Sequence, residues 1–260
     1  MNNSEIIIDS ECDTEYDPLF ENFLYLGTAS YLILGLFLHI RILWTILIKE
    51  RSYFKDNSFF ILFAADSIAS VSLILNDLLF TRVFMYIPQL CPIVSPFFWT
   101  PSIILKVIYF LNNHARFAKS VAQIFMVLNR MSCVIIPASY NKIWSTLTPI
   151  ACVLVVILPF GGLWNILISR IFVLSVRGGF GTSYIRAVSW VTFATCLSCR
   201  SDALYIIQFM AFDTFTVGSA VIMVLTNQHI RSSIFSSSRK RKIINVTVTA
   251  MPSGRFSNTS

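Results

Sequence analysis

Residues 58–80 read SFFILFAADSIASVSLILNDLLF, a run of twenty-three positions without Lys, Arg, Glu, Gly or Pro. As a helix rising 1.5 Å per residue it would be about 35 Å long, enough for the roughly 30 Å hydrocarbon core of a bilayer. Backbone amides find no water at that depth, so a crossing run has to close its hydrogen bonds internally as an α-helix, and the ten-residue alternation of a barrel strand is absent. Two acids interrupt the run. Asp66 and Asp77 are eleven residues apart and so fall within about 20° of one another around the helix, drawing one polar line along an apolar rod.

Four further runs of similar character lie at 23–48, 104–128, 146–169 and 204–226. Together with 58–80 they predict an all-α, polytopic transmembrane helical bundle with five spans. Val188 to Cys199 adds twelve apolar residues closed by Arg200 and Asp202. That is too short to cross, and it reads as a partial or interfacial segment. Composition agrees with the spans: 55% of the chain is apolar, 13% is charged and the mean hydropathy is +0.70, which excludes a water-soluble globule. The net charge of +7 does not indicate a nucleic-acid binder, because basic and acidic residues are segregated along the chain.

That segregation sets an orientation. Alternate connections on one side hold eleven cations (Lys49, Arg51, Lys55, Arg130, Lys142, Arg231, Arg239, Lys240, Arg241, Lys242 and Arg255) and on the other side five (Arg82, Arg170, Arg177, Arg186 and Arg200). The excess belongs in the cytoplasm, so residues 1–22, with seven acids and no Lys or Arg, are expected outside the plasma membrane and the basic tail 227–260 inside. Asn2, in Asn2-Asn3-Ser4, is the glycosylation sequon on the outer side. Cys12 and Cys91 share that side and either form a disulfide or stay unpaired. Phe97, Phe98 and Trp99 read as an interfacial aromatic belt.

Ionisable groups within spans are costly and mark functional candidates or helix-to-helix ties. Counted by depth from the outer ends of antiparallel helices, Asp77 should meet Lys106, and Asp66 should meet Lys119 or Arg116. Asp213 in the last span is the remaining acid of a polar path. Pro159 with Gly161 and Gly162 reads as a kink or a close helix contact, with a broken transporter helix as the alternative. No Ser-His-Asp set, paired catalytic acids, P-loop or GxGxxG occurs. The single C-x-x-C pair, Cys196 and Cys199, supplies two of the four ligands a zinc site needs. Neither an enzyme nor a bound metal or cofactor is expected.

Residues 125–144, FMVLNRMSCVIIPASYNKIW, resemble the corresponding stretch of the nematode serpentine receptor class gamma family, seven-helix chemoreceptors. The likeness extends to Asn57 through Phe60, to Gly178, Gly179, Phe180 and Tyr184, and to FMAFDTFTVG at 209–218 with Arg231 beyond it. Asn129-Arg130-Met131 followed by Pro137 is similar to the Asp-Arg-Tyr signature and following proline of G-protein-coupled receptors. The resemblance implies a small odorant or pheromone as ligand, with Asp77, Lys106 and Trp99 near it. It also implies a heterotrimeric G protein at Asn129, Arg130, Met131 and Pro137, and a receptor oligomer among the partners.

The chain departs from the family after Val188 to Cys199, which resembles the start of a fifth helix. Sequence resembling the seventh follows within a few residues, so most of the fifth helix and all of the sixth are missing. Ala220 stands where the resemblance implies a proline. Because movement of the fifth and sixth helices opens the G-protein site in this receptor class, signalling by the shortened chain is expected to be impaired. Competing expectations are a transporter or channel using Asp66, Asp77, Lys119 and Asp213, with Arg116 beside them, and a non-signalling partner of a full-length receptor.

Overall fold

The computed structural model of the chain describes residues 16–90, 92–93, 102–176, 179–185 and 202–235. Asn2, Cys12, Cys91, Phe97, Trp99, Val188 to Cys199 and the basic run at 239–242 lie outside the described residues.

Helix α1 (Pro18–Trp44) starts where Pro18 is tolerated at the first turn and Asp17 caps it, accepting a hydrogen bond from the Leu19 amide at 3.0 Å. It ends in a π-helical turn, Thr45–Lys49, followed by the short α2 (Arg51–Phe54). Asn57 then caps α3 (Ser58–Asn76), again through its side chain. The helix does not stop at Phe80. A second π turn, Asp77–Thr81, leads directly into α4 (Arg82–Tyr86). Ser102 caps the 33-residue α5 (Ile103–Ile135), and α6 spans Tyr140–Gly162 with Pro149 and Pro159 inside it.

Three of these segments, Pro18–Lys49, Ser58–Phe84 and Tyr140–Gly162, are long and apolar enough to cross a membrane among the described residues. The molecule is an integral, multi-pass membrane protein. Helix α5 has the length as well, but it carries Lys106, Arg116, Lys119 and Arg130. Helix α8 (Asp202–Thr226) closes the bundle and is followed by α9 (Gln228–Phe235).

Residues 163–169, expected as the end of a span, instead leave the helix. Leu163 breaks it, Trp164–Ile168 forms the one-turn α7, and an antiparallel hairpin follows, β1 (Arg170–Val176) with β2 (Gly179–Ile185). Ile171 and Val173, two residues apart and so on one face of β1, are buried and pack with Leu105 and Ile166. Among the described residues the bundle is therefore all-α apart from this hairpin. Its signal lay in the β-rich stretch 170–176 ahead of Gly178-Gly179.

The long helices form an incomplete ring. Helix α8 packs along α1, α1 along α3, α3 along α5, and α5 along α6. At the α1–α8 seam a Cβ on Gly35 would collide with the Val217 side chain, so only glycine allows so close an approach. Gly162 permits the same against the Phe117 ring of α5. The Pro159-Gly162 stretch thus serves close packing and a helix end. At the tail end of the bundle α9 is fastened to the end of α1. Ser233 donates to Glu50 Oε1 at 2.7 Å, His229 Nδ1 lies 3.0 Å from Glu50 Oε2, and Arg41 donates to the Ile234 carbonyl.

Outward faces are rich in large apolar side chains, among them Phe37 and Ile40 on α1 and Val153 and Ile157 on α6, each about half exposed. In water such faces would drive aggregation; against lipid they cost nothing.

Candidate functional site

The buried charges line the inner faces of α3, α4, α5 and α8. Midway along the bundle Lys119 of α5 donates to both oxygens of Asp66 on α3, at 3.2 and 3.3 Å, to Ser70 Oγ at 2.7 Å and to Ser219 Oγ of α8 at 3.4 Å. Asp66 and Ser70 are fully buried and Lys119 nearly so. Four oxygens around one ammonium exceed its three protons, so the site solvates the cation as water would. Nearby, His39 of α1 lies 3.0 Å from the Thr216 carbonyl of α8 through Nε2.

One step toward the hairpin end, Asp77 accepts from Asn112 at 3.1 Å and from Arg116 at 3.4 Å, and Asn112 also lies within hydrogen-bond distance of Thr81. Lys106 is not its partner. Depth alone suggested that pair, but thirteen residues separate Lys106 from Lys119, turning it about 220° around α5 and off the face that meets α3. Asn112, seven residues from Lys119, is back within about 20° of that face. Arg116 reaches Asp77 by the length of its side chain.

Asp213 is bound by Arg82, and both are buried. Reading 58–80 as the whole span had placed Arg82 in the outer connection, so its role was missed. The π turn is the reason it points inward. Widening the turn to i→i+5 pairing brings positions five apart nearly into line, and the Arg82 amide donates to the Asp77 carbonyl across it. Asp77 and Arg82 therefore share the inner face, and the three acids Asp66, Asp77 and Asp213 each face a cation from another element. Among the described residues no cluster of His, Cys, Asp or Glu has metal-binding geometry.

At the tail end Asn129 of α5 is fully buried. It donates to Ser58 Oγ at 2.8 Å and accepts from the Tyr140 hydroxyl at 3.1 Å, joining α3, α5 and α6. Trp144 of α6 donates to Ser132 in the next turn. Arg130 instead faces outward, its guanidinium 3.7 Å from the Phe59 ring centroid, a cation–π contact beside an open cleft. Met131 and Pro137 are exposed. The adjacent triplet thus divides into a buried member, Asn129, and two exposed members, Arg130 and Met131. Trp99 and Asn2 lie outside the described residues.

Comparison with known proteins adds to this geometry. The model of the Srg family chemoreceptor matches residues 25–196 and again 190–234. Serpentine receptor class gamma-17 of Caenorhabditis elegans is 50% identical over 311 positions that cover 95% of this chain and 97% of that protein. Class gamma-15 is 40% identical over 289 positions, covering 87% of this chain and 90% of that one, and class gamma-16 is 38% identical over the same share of this chain. Since 95% of 260 residues is about 247, about 64 of the 311 positions shared with gamma-17 lie opposite no residue here. The family match breaks at 190–196, where most of the fifth helix and the sixth were expected to be missing.

Proposed function

The chain belongs to the Srg chemoreceptor family, and on that premise we propose that it is a plasma-membrane receptor taking a small odorant or pheromone at the hairpin end of the bundle. In this reading all five long segments cross the bilayer, residues 1–22 lie outside, and a heterotrimeric G protein is met at the cytoplasmic end through Arg130, Met131 and Pro137. Membership of the family makes it a serpentine receptor and not an enzyme.

The observation that best supports the finer reading is the line of three ion pairs, two of them buried and the third, Arg116 with Asp77, partly so. It ties α8 to the rest of the bundle by charge as well as by packing, because Arg82 holds Asp213 and Lys119 reaches Ser219. Such ties have discrete alternatives. A ligand polar enough to compete for Asp77 or Arg116 would release one pair and shift α8, and a ligand moves an equilibrium only through such a difference in affinity between two states. A transporter would need this path to continue to both faces. Here each acid is already neutralised within the bundle, which favours a switch over a conduit.

The test is ligand-induced thermal stabilisation of the purified chain in lipid nanodiscs, screened with volatile alcohols, ketones and acids and with small molecules excreted by nematodes, alongside gamma-17 as the positive control. We expect at least one compound to raise the melting temperature of this chain, and Asp77→Asn with Arg116→Gln to remove the effect without lowering the unliganded value by as much. Compounds that stabilise gamma-17 and leave this chain unmoved throughout would refute ligand binding.

A further inference from the structure

The ring of helices is open between α8 and α5, and the opening is a cleft of about 1390 Å³ floored by α3. Its lining includes Phe59, Phe63, Met126, Phe215, Ile222 and Met223, with Arg130 also on it. Small-molecule pockets occupy about 300–1,000 Å³, so the cleft is larger than one odorant needs. Along α8 its lining runs from Thr214 to Thr226, twelve residues or about 18 Å, which is the scale of a helix.

Among the described residues no helix occupies it. Residues 186–201 join the end of β2 to the start of α8, both at the hairpin end, while Phe215 lies thirteen residues down α8, about 20 Å deeper. The about 64 positions of gamma-17 without a counterpart here suffice for two crossings of about 20 residues with their connections. The family match breaks at 190–196, shortly before the helix that forms one wall of the cleft.

We propose that this cleft is a docking site for the fifth and sixth transmembrane helices of a full-length class gamma receptor, supplied by a second polypeptide. The partner is defined by its chemistry. It brings apolar membrane helices that cover the Phe, Met and Ile lining of α3, α5 and α8. The chain then acts as one subunit of a receptor pair, its ring closed in trans.

Photo-crosslinking in membranes tests this without any ligand. p-Benzoylphenylalanine is placed at Ile222, exposed in the cleft, or at Val153, comparably exposed on the far face of α6, and the full-length chain is co-expressed with full-length gamma-17. We expect adducts from position 222, mapped by mass spectrometry to the fifth or sixth helix of gamma-17, at least tenfold above those from position 153. Gly218→Leu should plug the cleft and reduce the adduct at least fivefold, whereas Gly218→Ala should not. A Cβ at Gly218 meets nothing within 4 Å, so the plug does not strain the isolated chain. Equal yields from the two positions, adducts only to lipid or to a second copy of this chain, or an adduct indifferent to Gly218→Leu would each overturn the proposal.

Discussion

At the scale of single residues the molecule is organised by what each buried charge faces. Lys119 and Asp66 stand 3.2 Å apart with almost no exposure, so removing either leaves its partner unpaired at the centre of the bundle. Breaking such a pair costs about 3–5 kcal/mol. Asp66→Asn and Lys119→Met should therefore each destabilise by about 3 kcal/mol or more, while the double variant should cost clearly less than their sum. Thermal unfolding in detergent gives the double-mutant cycle, and strict additivity would sink the assignment. Arg82 and Asp213 obey the same logic across α4 and α8. Arg82→Gln should lower the melting temperature, and adding Asp213→Asn should restore part of the loss. A double variant no better than Arg82→Gln alone would mean that Asp213 has another partner.

At the scale of elements, close approach and turn geometry matter more than hydropathy. Gly35→Ala should cost about 1–3 kcal/mol by forcing α1 away from Val217. In a Val217→Ala background, where the colliding methyl groups are gone, the same change should cost less than about 0.5 kcal/mol. Equal penalties in both backgrounds would show that the seam is looser than this packing. The helices themselves were legible, because a run such as 58–80 has few alternatives in a membrane. So, as one of two alternatives with Arg116, was the Asp66–Lys119 pair, which helix length and antiparallel depth bring to the same level. What escaped was azimuth and irregularity. Lys106 was matched to Asp77 by depth with no account of which side of α5 it occupies. Arg82 was left in a connection because a π turn, which hydropathy does not register, carries the helix past Phe80. The hairpin escaped because 170–185, which follows the span read to Ser169, was taken only as an outer connection carrying Arg170 and Arg177.

At the scale of the whole molecule the open ring and the charge asymmetry belong together. Were the positions unmatched against gamma-17 two adjacent crossings, the ends would keep their sides, and the eleven-to-five distribution of Lys and Arg would orient the chain as its sequence is read. The prediction is an outer N-terminus. Expressed in animal cells, the chain should carry a glycan on Asn2, seen as a gel shift that a glycosidase reverses and that Asn2→Gln abolishes. An epitope appended after Ser260 should be reached by antibody only after the plasma membrane is permeabilised. A deletion of a single crossing would have placed the acid-rich leader and the basic tail on one side, against the charge distribution. With Asn2 glycosylated, a surface-exposed tail epitope would therefore overturn the five-crossing count; without that glycan it would invert the whole chain. That inversion would turn the Arg82–Asp213 end of the polar line toward the cytoplasm and Arg130 toward the outside, reversing where ligand and G protein meet the bundle.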